Sequence, residues 1–280
     1  MNMKRLISLS LLMALLLLWA APCDAQRRGN RRGRVQQQQQ QAPPENPRFV
    51  QMLSAVQQIV FIDSMVVSAD DFMRHIPLDP ECGRLEQHKG LAGRFTNGLA
   101  DRRFSAIIGT DSLSQLRASS LLADGWEEPQ TLPGIDNTQA AYPYVMPDGV
   151  TLYFAQKDEG SLGGYDLYVS RYEWSKGTFL HPENMGLPFN SEADDLCLAI
   201  DEFNQLGYLV SNRRQPKGKV CIYVFVPAQN RRVYPSETTQ DNHLRSLARI
   251  ERIADTWNLI SQQERSNAMS ILKKMKAMHQ

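Results

Sequence analysis

Short runs of apolar and β-branched residues, separated by turn residues, fill the middle of the chain. Tyr142-Pro143-Tyr144-Val145 and Thr151-Leu152-Tyr153-Phe154 flank the turn Pro147-Asp148-Gly149, and Asp166-Leu167-Tyr168-Val169 follows a looser turn at 160–164. Strands of this length joined by tight turns are typical of an antiparallel meander. Asp148 and Gly149 are accordingly predicted to form the first of these turns. Positive backbone φ angles are expected at the turn glycines, namely Gly149, Gly160, Gly163 and Gly164.

The pattern recurs after about 55 residues. Tyr208 takes the place of Tyr153, and Cys221-Ile222-Tyr223-Val224 takes the place of 166–169. In the opposite direction, Asp111-Ser112-Leu113 corresponds to Asp166-Leu167-Tyr168, with Phe104-Ser105-Ala106 as a weaker middle strand. A repeat of this length made of short strands predicts a mainly β fold. Its form would be a β-propeller-like array of antiparallel three- to four-stranded blades over residues 49–235.

The residues between 94 and 226 suffice for only about two and a half blades of this period, whereas propellers usually have about four or more. The β-rich run at 59–67 and Val233-Tyr234 could complete a blade by pairing the two ends of the domain. The alternatives are an open sheet or one that closes against another chain.

The last segment, 236–280, has helical spacing and predicts a short α-helical hairpin. One apolar stripe runs from Leu244 to Trp257 after Asp241 as a possible cap, and Ser261 and Glu264 fit a capping box before the second helix. These helices are expected to cap the exposed edge of the blades; the alternative is that they dock on a partner helix or dimerise.

The N-terminus has the form of an export signal. Lys4 and Arg5 precede an apolar run at 6–21, and Cys23-Asp24-Ala25 offers a cleavage site, so residues 1–25 are predicted to be a signal peptide. An uncleaved anchor and a lipid-modified Cys23 remain alternatives. Residues 26–48, rich in arginine, glutamine and proline, predict a disordered linker.

The stretch from Tyr142 to Phe154, with Pro147-Asp148-Gly149 at its centre, resembles the Pro-Asp-Gly repeats of TolB-like, WD40-like β-propellers. The stretch Gly163-Gly164-Tyr165-Asp166-Leu167-Tyr168-Val169-Ser170 is similar to the strand that ends a blade in that family. The resemblance implies an exported protein, periplasmic or associated with the outer membrane of Gram-negative bacteria, that acts as a binding scaffold. It carries over no catalytic residue.

Charge is unevenly distributed along the chain. Residues 35–240 contain 17 basic and 25 acidic residues, whereas 241–280 contain 7 and 4. An acidic body argues against nucleic acid as a partner. The linker contains five arginines that could contact an anionic lipid or polymer: Arg27, Arg28, Arg31, Arg32 and Arg34. A solvated tether is the simpler interpretation of this segment.

Candidate chemistry is sparse. The five histidines lack metal-ligand spacing, and neither a nucleophile elbow nor a phosphate-binding loop is present, so no metal, cofactor or catalytic residue is predicted. Asp158, Glu159 and Asp166 could begin a calcium site, but a turn is the favoured interpretation. Cys82, Cys197 and Cys221 are expected to be buried free thiols, because one strand separates the last two.

We therefore expect a non-enzymatic binding module whose partner is an envelope protein or a glycan. The predicted contact residues lie on loops and were expected to be exposed: Asp158, Asp194, Asp195, Arg213 and Arg214. The alternative is a glycan-active enzyme or a glycan-binding protein using the same face. Asp194 and Asp195 make a poor acid/base pair for such an enzyme, because neighbouring strand residues point to opposite faces.

Overall fold

The computed structural model describes residues 45–135 and 139–279. The predicted signal peptide at 1–25, linker residues 26–44 and the five linker arginines (Arg27, Arg28, Arg31, Arg32 and Arg34) lie outside the described residues.

The described chain opens with helix α1 (Pro47–Met52), the 3₁₀ turn Leu53–Ala55 and strand β1 (Val60–Ser68). Asn46 caps α1 by accepting a hydrogen bond from the Arg48 N–H. The linker was predicted to reach residue 48, but residues 45–48 already contact the folded part. For example, Asn46 Nδ2 donates to the Leu162 carbonyl. Two further 3₁₀ turns follow β1, at Phe72–His75 and Pro80–Cys82.

The first sheet pairs its strands in chain order. Its members are β2 (Arg84–Glu86), β3 (Leu91–Thr96), β4 (Arg102–Ile108), β5 (Ser114–Leu122), β6 (Gly125–Trp126) and β7 (Gln130–Thr131). All pairs are antiparallel; β6 and β7 both pair with β5. Leu85, Phe95, Phe104 and Leu116 lie on the buried face, consistent with period-two alternation.

The second sheet has the same antiparallel arrangement. It consists of β8 (Ala140–Val145), β9 (Thr151–Gln156), β10 (Asp166–Glu173), β11 (Thr178–Phe179) and β12 (Glu183–Asn184), with the last two both paired to β10. The three runs predicted as strands at 142–154 and 166–169 are therefore confirmed as β8, β9 and β10.

The third sheet joins both ends of the repeat region. Its strands are β13 (Asp195–Asp201), β14 (Leu206–Ser211) and β15 (Lys219–Val226), and β1 pairs with β15 as the fourth strand, from Val60 opposite Val226 to Ser68 opposite Lys219. A bridge between Gln57 and Val233 extends this closure. Of the three arrangements considered from the sequence, pairing of the two ends is the one observed, although β1 pairs with β15 and Val233 contributes only the bridge.

The three sheets of the described residues pack on one another in chain order. Strand β8 packs against β3, β4 and β5, and β13 packs against β8, β9 and β10. One core cluster includes buried residues from every sheet, among them Phe95, Tyr144 and Tyr208. The chain is thus mainly β, with antiparallel sheets and helices at its C-terminus, as predicted.

The predicted repeat register holds between the second and third sheets and fails in the first. Thr151 and Leu206, which begin the middle strands β9 and β14, are 55 positions apart, and Phe104 lies in middle strand β4 as expected. Residues 111–113, predicted to match the start of β10, instead form the turn before Ser114. The connection at 109–113 is shorter than that at 157–165, which shifts the register.

The C-terminal segment begins with α2 (Asp241–Arg249), continues through the 3₁₀ turn Ile253–Leu259 and ends with α3 (Gln262–Met278). Ile250 adopts a left-handed conformation, φ 52°, so the predicted single stripe through Trp257 is interrupted. Gln240, not Asp241, occupies the cap position, whereas the Ser261–Glu264 capping box is confirmed. The predicted second helix is confirmed as α3, but α2 and α3 pack in different apolar clusters rather than forming the apolar contact expected of a hairpin.

These C-terminal elements cover the outer edge of the third sheet. The Phe61 N–H of β1 donates to Thr256 Oγ1 (3.0 Å), and Trp257 Nε1 donates to the Phe61 carbonyl (2.9 Å). Lys276 of α3 pairs with Asp63 of β1. An open strand edge invites pairing with other chains, and these bonds block it. The expected capping role is confirmed.

The turn glycines have two different roles. Gly149 has a positive φ of 67° as expected, but Gly160, Gly163 and Gly164 do not. A side chain at Gly163 would clash with the Ala193 carbonyl, and one at Gly164 with the Asp194 carboxylate. Glycine is therefore required at 163 and 164 by close approach of neighbouring atoms rather than by turn conformation.

Candidate functional site

A cleft of about 440 Å³ opens where one turn from each of the three sheets meets the turns of the other two. These turns lie at 97–101 in the first sheet, 146–150 in the second and 202–205 in the third. The cleft is lined mainly by apolar side chains from all three sheets: Phe95, Leu99, Phe104, Val145, Met146, Pro147 and Phe203. Packing of the three sheets on one another thus brings one turn from each sheet to a single site.

The rim of the cleft carries unusually exposed apolar groups. Leu99 is 83% exposed and Phe203 is 52% exposed, while Phe95, Phe104 and Val145 form a buried floor. Turn positions on a surface are normally polar, so large apolar groups held there indicate a contact surface.

Each of these turns is fixed by a short polar side chain. Asn97 Oδ1 accepts from the Asp101 and Arg102 N–H groups, and Asp148 Oδ1 accepts from the Val150 and Thr151 N–H groups. In the third turn the fully buried Asp201 accepts through Oδ1 from the Asn204 N–H. Such side-chain bonds replace backbone pairing in tight turns. The rim is consequently preorganised.

The wall of the cleft also contains a thiol and two charged side chains. Cys82 lies in its wall, with Sγ 3.6 Å from Asp201 Oδ1. Burial, together with the Asp201 carboxylate, raises the pKa of Cys82 to about 12, so the thiol stays protonated at neutral pH and is a weak nucleophile. Arg102 lies 5.6 Å from the Phe104 ring centroid, and Glu81 adds an opposite charge.

Two of the residues predicted to be exposed contacts form a buried ion pair instead. Asp195 is 0% exposed and Arg213 is 3% exposed, with Arg213 Nη2 2.5 Å from Asp195 Oδ1. Arg213 also donates to the Pro188 and Phe189 carbonyls, and Asp195 accepts from the Ser191 N–H and hydroxyl. The pair therefore fastens the loop at 185–194 onto the third sheet, which is why these residues are buried.

The other predicted contact residues also have structural partners. Asp194 is half-buried and accepts from the Tyr165 N–H and from Asn212 Nδ2. Arg214 is exposed but donates to the Arg249 and Ile250 carbonyls, and so caps the end of α2. All of them lie near the ends of strands opposite the cleft.

Asp158, the last predicted contact residue, is exposed and organises the turn at 158–161. Its Oδ1 accepts from the Gly160 N–H and from the Tyr168 hydroxyl. The favoured turn interpretation of this acidic loop therefore fits its geometry. No group of three or more metal-ligating side chains occurs among the described residues.

A second buried carboxylate organises the second sheet. Asp166 is 0% exposed and accepts hydrogen bonds from the Leu162 N–H and from Asn184 Nδ2, both 2.8 Å. Burial raises the pKa of Asp166 to about 6 despite those bonds. Asn190 completes the network by bonding to both backbone groups of Leu167, as a paired strand residue would.

The sequence contains a signal for the cleft that lies outside the recognised motifs. Leu99 and Phe203 are large apolar residues inside segments whose other residues, such as Asn97 and Asn204, indicate a turn. An apolar residue at a turn tip has nothing local to pack on. That mismatch, seen twice at equivalent positions, points to an intermolecular contact.

Comparison with known proteins finds no family model that matches the chain and no curated protein with significant sequence similarity. Within the described part of the chain, no helix has both the length and the apolar character needed to cross a bilayer.

The prediction of buried free thiols is confirmed, since Cys82, Cys197 and Cys221 are all buried and form no disulfide.

Proposed function

We propose that this chain is a non-enzymatic binding module of the cell envelope, built from β-propeller-type blades, which holds an apolar segment of a partner protein in the cleft. The three stacked antiparallel sheets, with strands β9 and β14 in one repeat, support the blade interpretation. The N-terminal Lys4, Arg5 and apolar run at 6–21 support export.

The observation that carries the binding role is the pair of exposed rim residues, Leu99 and Phe203, above an apolar floor. A partner residue inserted between them would remove apolar surface from water at about 25 cal/mol per Å². The fixed turns lower the entropic cost of binding, because the rim need not be ordered by the ligand.

A protein partner fits the cleft better than a sugar. Its lining is dominated by apolar and aromatic side chains, while Arg102 and Glu81 at the edge can pair with a peptide's termini or charged residues. Interface cores of protein complexes have this composition, with aromatic anchors inside and charges at the rim.

The test is selection of binders from a random peptide library on the full chain, followed by affinity measurements. We expect apolar or aromatic peptides to be selected, and the double variant Leu99→Ser/Phe203→Ser to lose about tenfold or more in affinity. The control is Val66→Ser, which removes an apolar group that is 57% exposed on β1, away from the cleft. Equal affinity of both variants for the selected peptides would refute the proposal.

A further inference from the structure

A second surface, on the first sheet, has the opposite character to the cleft. The face of this sheet that points away from the core carries four arginines, which we call the arginine face: Arg84, Arg94, Arg103 and Arg117. Glu86 stands beside them, with its Oε1 3.4 Å from Arg84 Nε. The five side chains together have a net charge of +3, in a body that is otherwise acidic.

Strand register places these arginines side by side. Arg94 and Arg117 both lie opposite Ser105 of the central strand β4, and Arg94 Nε donates to Ser105 Oγ at 3.1 Å. Adjacent strands are about 4.8 Å apart, so the backbones of Arg94 and Arg117 are separated by about 10 Å. Arg103 lies one row along β4, between them.

Arg103 is held in place without an ion-pair partner. Its guanidinium lies 3.7 Å from the ring centroid of Trp126, and its buried Nε has no hydrogen-bond partner. Burial lowers the pKa of Arg103, and neighbouring Arg94 lowers it further. The hydroxyl of Thr96, directly opposite Arg103 and only 4% exposed, is also without a partner.

We propose that the arginine face binds an anionic polysaccharide, a ligand and a surface distinct from those of the cleft. Guanidinium groups bind carboxylates in a two-pronged geometry, and an anion here would relieve the repulsion between neighbouring arginines. The face extends across strands β2 to β5, which suits a linear polymer. The unpartnered Thr96 hydroxyl and Arg103 Nε mark where polar contacts are missing.

An anionic bilayer would supply similar oxyanions, and exposed Leu121 and Leu122 lie close to Trp126. However, Asp124 lies at the tip of the hairpin between Leu122 and Trp126, and Glu128 follows. A carboxylate at that tip opposes insertion of the two leucines into the bilayer, whereas a polysaccharide would contact only the face of the sheet. The polysaccharide is therefore the better match.

The test measures binding of the full chain to polygalacturonate, with neutral dextran as the uncharged comparison. We expect binding to polygalacturonate alone, weakening with added salt, and a drop of about tenfold in affinity for R103Q/R117Q. The control R231Q/R232Q removes the same charge from two exposed arginines elsewhere and should bind like the unaltered chain. Thermal unfolding of both variants checks that they are folded.

Two results would overturn the inference. One is equal affinity of R103Q/R117Q and R231Q/R232Q, which would reduce the effect to overall charge or to the N-terminal arginines. The other is tighter binding of phosphatidylglycerol vesicles or single-stranded DNA than of polygalacturonate, lost in R103Q/R117Q, which would assign the face to lipid or nucleic acid. Because Leu99 and Phe203 are intact in these variants, failure here leaves the peptide test of the cleft unaffected.

Discussion

The hydroxyl of Tyr144 in the second sheet donates a hydrogen bond to the carbonyl of Ile200 in the third sheet. The ring of the same tyrosine packs edge-on against Phe95 of the first sheet, with ring centroids 5.0 Å apart. Tyr144 is completely buried. One side chain therefore joins all three sheets, and its partner Phe95 lines the cleft formed by their turns.

Removing the Tyr144 hydroxyl should destabilise the array. Tyr144→Phe leaves the half-buried Ile200 carbonyl without this partner, and we expect the free energy of unfolding to fall by about 1–2 kcal/mol. Urea unfolding followed by circular dichroism measures this. Tyr153→Phe, at a half-buried tyrosine, is the matched control and should change stability by less than about 0.5 kcal/mol. Similar losses in both variants would show that the Tyr144 bond has no special role.

Breaking the buried ion pair should cost more. Arg213→Met leaves the fully buried Asp195 carboxylate without its counter-charge, and we expect a loss of about 3–5 kcal/mol. Arg171→Met, at an exposed arginine, should lie within about 0.5 kcal/mol of the unaltered chain.

The double variant Asp195→Leu/Arg213→Met separates pairing from other contributions. If the cost of Arg213→Met comes from the uncompensated carboxylate, the double variant should lose less stability than the sum of the single variants. Strict additivity in urea unfolding would contradict the pairing account.

The strands of this chain were predictable because each is a local pattern. Alternation and turn residues located β8, β9 and β10. The β-rich run at 59–67 suggested that the two ends of the domain pair, but its partner strand, β15, was not predicted. The repeat register of the first sheet was not predictable. It depends on the length of the connection at 109–113, and turn residues alone do not determine that length.

The candidate sites depended on contacts between residues far apart in the chain. In the sequence, Asp195 and Arg213 have the character of exposed loop residues. In the structure they are buried, because the loop at 185–194 covers them. Likewise, Leu99 and Phe203 are more than a hundred positions apart, and only stacking of the sheets brings their turns to one cleft. Charge and polarity in sequence report composition, whereas burial depends on tertiary packing.

Asp166 should make part of the stability depend on pH. Its folded-state pKa is about 6, against an ordinary value of 3.8, so the folded protein holds this proton more tightly than the unfolded chain. Its contribution is therefore complete below about pH 4 and is lost as the pH rises through about 6, by roughly 3 kcal/mol in total. Asp166→Asn removes this dependence.

Urea unfolding at a series of pH values tests this. The stability of the unaltered chain minus that of Asp166→Asn should decline between about pH 4 and pH 7. Asp148→Asn is the control, because the pH dependence of its stability difference should have the opposite sign. Burial alone would raise the pKa of Asp148, but hydrogen bonds from Thr151 and Val150 hold that pKa below its usual value. A difference between the unaltered chain and Asp166→Asn that does not vary with pH would contradict the assignment.

The edge of the third sheet should become prone to association when its cap is weakened. Thr256→Val removes the acceptor of the Phe61 N–H, and we expect a loss of about 1–2 kcal/mol and more aggregation on mild heating. Light scattering together with thermal unfolding measures both effects. Thr110→Val, in an exposed turn, is the control and should behave like the unaltered chain.

The central claim is that the cleft between the three turns is where this protein binds its partner. Methyl-labelled protein titrated with a selected apolar peptide and followed by nuclear magnetic resonance tests it most directly. We predict that the methyl signals of Leu99, Val145 and Met146 shift on titration while those of Val66 and Leu121 do not. Shifts at Val66 or Leu121 with none at Leu99 would contradict the account.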